Sequence, residues 1–167
     1  MKKLLLLCAC ITALFCFGCS DENNDIYIYG EIGENIRWKF EDDALLIEGN
    51  GEIPDFSCKS KTPWSEYAED VQSVSFDGDF SAVGDFAFAY MKNPSIPGTI
   101  TEIGNYSYFQ TQLGGELELP DGIVHVGEKA FANCFGLKGI YIPKNLTDIG
   151  KDAFYCLTFI GNGRISR

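Results

Sequence analysis

Val83-Gly84-Asp85-Phe86-Ala87-Phe88 returns three times, as Ile103-Gly104-Asn105-Tyr106-Ser107-Tyr108, Val126-Gly127-Glu128-Lys129-Ala130-Phe131 and Ile149-Gly150-Lys151-Asp152-Ala153-Phe154. Each copy holds an aliphatic-Gly pair, then a small residue and an aromatic. The first residues of the copies are spaced by 20, 23 and 23. A period in the twenties predicts short coils stacked into a solenoid.

The rest of each period fits that reading. Pro97, Pro120 and Pro143 each stand six residues before an aliphatic-Gly pair. Upstream of them apolar and polar residues alternate, most clearly at Leu137, Ile140 and Ile142, with Leu117 and Leu119 one coil earlier and Val71, Val74 and Phe76 before Val83. Such alternation marks a strand with one buried face, and proline ends its pairing because it lacks an N–H. A second apolar position, Phe80, Ile100, Ile123 and Leu146, lies three residues before the pair. The glycine is expected to turn the chain sharply, and the brief Ala-Phe segment to form a turn of 3₁₀ or α-helix on the outer side. A lone coil buries too few side chains to offset the backbone freedom it loses, so coils must cover one another. The column Phe88, Tyr108, Phe131, Phe154 is the expected spine of that core. The first coil pair is three residues shorter, at Met91-Lys92-Asn93-Pro94, and Pro94 falls where a buried strand residue belongs. A distorted strand is expected there.

Met1-Lys2-Lys3 and the apolar run Leu4 to Phe17 have a signal-peptide layout, too short to span a bilayer comfortably. Cys16-Phe17-Gly18-Cys19 resembles the cleavage box of bacterial lipoproteins, with Cys16 where Leu is usual. The resemblance implies removal of residues 1–18 and lipidation of Cys19, with stable membrane attachment through more than one acyl chain. Residues 19–25 follow as an acidic, solvated tether. In some bacterial lipoproteins a similar acidic stretch directs export to the surface; retention in the periplasm stays open.

The whole chain has 167 residues and a net charge of −11. The signal carries Lys2, Lys3 and no acid, so its removal leaves −13. Such a chain lacks the phosphate-neutralising Lys and Arg that nucleic acid demands. Of seven cysteines, Cys8, Cys10 and Cys16 would leave with the signal and Cys19 would be lipidated, as the lipoprotein resemblance implies. Cys58, Cys134 and Cys156 remain, an odd set without metal spacing. Cys134 and Cys156 read as small buried residues at nearly equivalent repeat positions, with a disulfide between their coils as the alternative.

Residues 26–70 read as an N-terminal β cap. Tyr27 and Tyr29 alternate with Ile26 and Ile28, Ile36, Trp38 and Phe40 with polar neighbours, and Ala44 to Glu48 resumes a strand between polar turns. Thr62-Pro63-Trp64 is expected to open a helical turn running to Asp70. Gly33-Glu34-Asn35-Ile36-Arg37-Trp38, Leu45-Leu46-Ile47-Glu48-Gly49-Asn50-Gly51, Pro54-Asp55-Phe56 and Pro63-Trp64, followed by aliphatic-Gly-x-x-Ala-Phe-x-x-Cys coils, resemble the BspA-type bacterial leucine-rich repeat proteins. The coil at Ile103 departs, with Ser107-Tyr108 and no Cys. The expected fold is therefore mainly β: a short leucine-rich-repeat solenoid over residues 71–167, its right-handed coils each a strand plus a short helical turn, capped by antiparallel β structure. The resemblance implies a surface or secreted bacterial protein, some relatives being adhesins for host proteins. It carries no catalytic residues, and no cofactor is expected.

After Cys156 the expected strand-proline unit does not arrive. Leu157-Thr158-Phe159-Ile160 and the turn Gly161-Asn162-Gly163 leave no obvious cap. That end is read as frayed, as covered by a partner or a second copy, or as the mark of a shortened relative.

Candidate chemistry is sparse. His125, the single histidine, lies among solvent-facing positions. Asp77-Gly78-Asp79 lacks the further carboxylates of a calcium loop and suits a turn. Binding remains. The strand residues between the buried ones should form one continuous exposed ladder of Ser73, Ser75, Ser95, Glu116, Glu118, Lys138 and Tyr141, with Tyr141 as its only anchor-like side chain. The expected function is protein–protein binding by a lipid-anchored outer-membrane or envelope protein, extending to adhesion to a host extracellular protein. The alternative is a structural or accessory lipoprotein of an envelope assembly that uses its open end. A hydrolase is disfavoured.

Overall fold

The aliphatic residue of each repeat begins the stack. In the computed structural model, which describes residues 17–20, 26–157 and 165–166, Val83, Ile103 and Val126 are almost wholly buried. They sit on short strands that pair in parallel with the equivalent strands of neighbouring coils.

Strands β1 (Phe17–Ser20), β2 (Ile26–Ile32), β3 (Ile36–Glu41) and β4 (Ala44–Gly49) form an antiparallel meander. Trp38 and Ile47 pair across β3 and β4 and point into the core. β4 also pairs in parallel with β6 (Ser73–Asp77), and β5 (Gly51–Ile53) pairs in parallel with β7 (Phe80–Val83), Ile53 opposite Val83. The cap thus supplies the first winding itself. The following coils add β8 (Glu102–Ile103), β9 (Gly114–Glu118), β10 (His125–Val126), β11 (Gly136–Tyr141), β12 (Asp148–Ile149) and β13 (Ile165–Ser166). One parallel sheet runs β5-β7-β8-β10-β12 and another β9-β11-β13.

The aromatic column lies in single file. Phe88 and Tyr108 are 5.7 Å apart by ring centroid, Tyr108 and Phe131 stack at 5.2 Å, and Phe131 and Phe154 stack at 5.7 Å. Trp64 heads the file, stacked on Phe88 at 5.5 Å, and its indole N–H donates to the Ala87 carbonyl. Burial pushes the Tyr108 phenol pKa up, and its hydroxyl donates to the Ser95 carbonyl at 3.2 Å.

Two local expectations are corrected and one is given its cause. The chain turns directly after the repeat glycines, but not through positive φ, since Gly84, Gly104, Gly127 and Gly150 all lie outside that region. They are small because coils touch there: a Cβ on Gly104 would come within 2.7 Å of the Asp85 nitrogen and the Gly84 carbonyl carbon. The Ala-Phe segments are not helical either. They are consecutive turns with left-handed residues four apart, Phe86 and Tyr90, Tyr106 and Gln110, Lys129 and Asn133, Asp152 and Cys156. Between those kinks the N–H groups of Phe86, Phe88 and Tyr90 donate to the Asn105, Ser107 and Phe109 carbonyls of the next coil, and later coils repeat the scheme. Bonds that a helix would keep internal are spent on the neighbour. Residues 63–70 likewise form turns, and the short 3₁₀ helix, Lys59–Lys61, precedes them.

A side-chain chain reinforces the stack. Asp55 accepts from the Asp85 N–H at 2.8 Å, Asp85 from the Asn105 N–H at 2.6 Å, and Asn105 from the Glu128 N–H at 2.7 Å. Asp85 and Asn105, each following a repeat glycine, and Asp55, at the equivalent place after Pro54, thus cap the next coil.

At the far end, Ile165 and Ser166 pair in parallel with Ile140 and Tyr141. A further strand therefore does follow the fourth repeat, contrary to the sequence expectation. Residues 158–164, with the apolar segment and turn noted above, lie outside the described residues.

Candidate protein-binding face

Alternation along the strands sends one side chain in two outward. Ser73 and Ser75 are exposed on β6, Glu116 and Glu118 on β9, and Lys138 and Tyr141 on β11. The register sets Glu118 beside Tyr141 and Leu117 beside Ile140. Lys138 occupies an irregularity between Leu137 and Gly139, an extra residue that leaves the ladder and carries its ammonium outward.

The ladder is not continuous. β6 belongs to the cap sheet and β9 to another, and the coil between them contributes one bridge, Val74 to Pro94. The expected distortion at Pro94 is thus complete enough to divide the face in two. Ser95 stands in the gap. It is exposed, yet its N–H and its hydroxyl both donate to the Val74 carbonyl, at 3.0 and 2.8 Å. It substitutes for missing strand pairing rather than presenting a free hydroxyl. The surviving unit is Glu116, Glu118, Lys138 and Tyr141 on β9 and β11.

A second surface escaped the sequence reading. On the turn side Phe86 and Tyr106 stack at 4.9 Å, Tyr106 meets Phe109 at 5.5 Å, and Phe109 meets Tyr90 at 5.5 Å. Tyr90 is 43% exposed. It opens onto a groove of about 580 Å³ between the turns of residues 59–69 and the first two repeat coils. These rings occupy the outward positions of the turns, and no motif in a single sequence separates them from the core aromatics.

The family whose pattern is described as BspA type leucine rich repeat region matches residues 66–166, in six copies. The chain belongs to this family. Among solved structures, a leucine-rich repeat protein from Eubacterium ventriosum ATCC 27560 is similar, with a TM-score of 0.67 and 23% identity. The alignment covers 84% of this chain and 44% of that one, so the chain spans less than half the length of that relative. The likeness supports the fold alone. A search of curated proteins gives no match.

A BspA-type leucine-rich repeat stack is a scaffold of the binding kind, and its family points away from catalysis. His125 fits that description. It is half-buried on β10, its Nδ1 2.8 Å from Asp148 Oδ2 on the next coil. Asp77-Gly78-Asp79 makes a turn, with the Asp79 N–H donating to Asn50 Oδ1 and the Gly51 N–H to the Asp79 carbonyl. Among the described residues no group of three or more His, Cys, Asp or Glu side chains is placed to hold a metal ion.

Cys58, Cys134 and Cys156 are free thiols in unlike settings. Cys134 is buried, its Sγ 3.1 Å from Thr111 Oγ1 and donating to the Tyr108 carbonyl, and burial raises its pKa. Cys156 is exposed, contrary to the expectation of a buried pair. Its repeat equivalent is Asn133, both residues having left-handed φ, and Leu157 takes the place of Cys134. Cys58 is half-buried, and a hydrogen bond with Ser60 at 3.2 Å, helped by Lys61, lowers its pKa. A lowered pKa enlarges the thiolate fraction near neutral pH, and the thiolate is the reactive form. Maleimide labelling followed by peptide mass mapping should therefore modify Cys58 and Cys156 in the folded protein, with Cys58 reacting at lower pH than free cysteine does. Cys134 should react only after denaturation. Early labelling of Cys134 would contradict the packing.

Proposed function

We propose that this chain is a lipid-anchored cell-envelope protein that binds another protein through the strand-side face of its repeat stack, with Cys19 as the lipidated residue. The observation that carries the binding part is the group Glu116, Glu118, Lys138 and Tyr141, gathered on two paired strands with Tyr141 41% exposed. An exposed tyrosine flanked by charges is the composition expected of a binding hot spot and its rim. Adhesion to a host extracellular protein is the finer reading that the family favours.

The anchor reading rests on Met1-Lys2-Lys3, the apolar run and the Cys16–Cys19 box. No helix among the described residues is long and apolar enough to cross a membrane; residues 1–16 and the tether residues 21–25 lie outside them. Cys19 and Ser20 pair with Tyr27 and Ile26, so a chain cleaved before Cys19 keeps half of that strand pairing. Incorporation of labelled palmitate by the whole chain, abolished by C19S, is the expected result for the anchor.

For binding, a pull-down from envelope extracts should recover a partner that E116Q/E118Q/Y141A loses by about tenfold or more, consistent with hot-spot magnitudes. The melting temperature should stay unchanged because all three side chains are exposed. Retention of the partner by this variant, with S73A/S75A also silent, would remove the strand-side face from consideration.

A further inference from the structure

We infer that the turn side of the stack carries a second, separate binding groove, one that takes an acidic extended segment of a partner protein. The groove of about 580 Å³ has the size of a small-ligand or peptide-side-chain site. Trp64, Ala87, Ala89 and Met91 form its buried floor, and Lys59, Lys92 and Gln112 stand on its rim.

The two ammonium groups are held in place by neutral partners. Lys59 Nζ lies 3.9 Å from the Tyr90 ring centroid, and Lys92 Nζ donates to the Glu69 carbonyl at 3.2 Å. Neither has a carboxylate at ion-pair distance among the described residues. In a chain with 24 acidic and 13 basic side chains, a groove lined by two lysines, Lys59 and Lys92, against one carboxylate, the exposed Glu69, is a local inversion of sign. That inversion favours an anionic occupant. The strand side, with Glu116 and Glu118, has the opposite preference.

The aromatic track makes the occupant a polypeptide rather than a small anion. Phe86, Tyr106, Phe109 and Tyr90 run along the turns into the groove in ring-to-ring contact. The fold does not demand rings there. The left-handed position held by Phe86 and Tyr106 is held by Lys129 and Asp152 in later coils, and that of Tyr90 by Gln110 and Asn133. Bulky residues at positive φ are costly, whereas Asn and Asp adopt it readily. Partly exposed aromatic area beside fixed cations suits a segment that alternates acidic and apolar side chains. Gln112, exposed at the rim, adds an amide for main-chain groups.

The test is fluorescence anisotropy on the full chain with a labelled octapeptide in which four glutamates alternate with two tyrosines and two leucines. The same peptide with lysine for glutamate, and free citrate as competitor, complete the set. The acidic peptide should bind, the basic one should bind at least tenfold more weakly, and citrate should fail to displace it at equal concentration. K59Q/K92Q and, separately, Y90A should weaken binding about tenfold, and E116Q/E118Q should leave it unchanged. Equal binding to the wild type and K59Q/K92Q, preference for the basic peptide, no binding, or full displacement by citrate would each overturn the proposal. Because the strand-side variant is a control here, failure of this groove leaves the strand-side reading standing.

Discussion

Gly127→Ala should destabilise the protein by about 3 kcal/mol, near the upper end of ordinary overpacking costs. A single methyl group has this effect because of what it would meet. The added Cβ would lie 2.6 Å from the Asn105 nitrogen and the Gly104 carbonyl carbon and 2.9 Å from Asn105 Oδ1. Two of these are backbone atoms of the preceding coil, and they cannot rotate away. Relief requires the coils to part, which lengthens the Gly127 N–H to Ile103 carbonyl bond, now 2.7 Å, and the bond from the Glu128 N–H to Asn105 Oδ1. Gly98→Ala is the matched control: nothing lies within 4 Å of its Cβ position and its φ is not positive, so its effect should be small or slightly stabilising. Thermal denaturation followed by circular dichroism should show Gly127→Ala melting roughly 6–12 °C below the wild type, as 3 kcal/mol implies for a chain of this size. Equal melting of the two variants would mean that the coils do not approach at the glycines.

Phe131→Ala should cost about 3–5 kcal/mol, the range for truncating a buried aromatic. Phe131 is fully buried between Tyr108 at 5.2 Å and Phe154 at 5.7 Å. Its removal leaves a void in the middle of the file, with both neighbouring rings losing a stacking partner. Stability in a coil stack depends on nearest-neighbour interfaces, so the damage should spread unevenly. Hydrogen exchange should accelerate most for amides that cross this junction, those of Tyr106, Tyr108 and Gln110 on one side and Lys129, Phe131 and Asn133 on the other. Amides of the cap strands should be affected least. Uniform acceleration throughout the chain would indicate one indivisible unit instead.

The sequence displays what recurs and conceals what is done once. Val83, Ile103, Val126, the second apolar column from Phe80 to Ile123 and the aromatic file are legible because each coil must present the same group at the same place. Trp64 is hidden because the winding it belongs to is irregular: Ile53, the partner of Val83, lies thirty residues before it rather than twenty or twenty-three, and Pro54 follows where later coils have glycine. The turn geometry is hidden for a different reason. Left-handed φ is usually signalled by Gly or Asn, but here Phe86, Tyr106, Lys129 and Cys156 adopt it. Inter-coil bonds to Asn105, Ser107 and Phe109 hold the kinks, and those partners are remote in sequence.

The candidate binding face was legible residue by residue and not as a surface. Exposure of Glu116, Glu118, Lys138 and Tyr141 follows from alternation. The break beside Ser95 follows from Pro94, whose missing N–H weakens strand pairing on a scale that alternation does not reveal. The turn-side rings were invisible as a group because Phe86, Tyr90, Tyr106 and Phe109 come together only when the coils stack.

The central claim is that short windings share one core by placing their aromatic rings in single file. Aromatic nuclear Overhauser contacts in selectively labelled protein test it most directly. The account expects contacts between Trp64 and Phe88, Phe88 and Tyr108, Tyr108 and Phe131, and Phe131 and Phe154, with none between Phe88 and Phe131 or between Tyr108 and Phe154. Direct contact between rings two coils apart, or no contact between Tyr108 and Phe131, would contradict it.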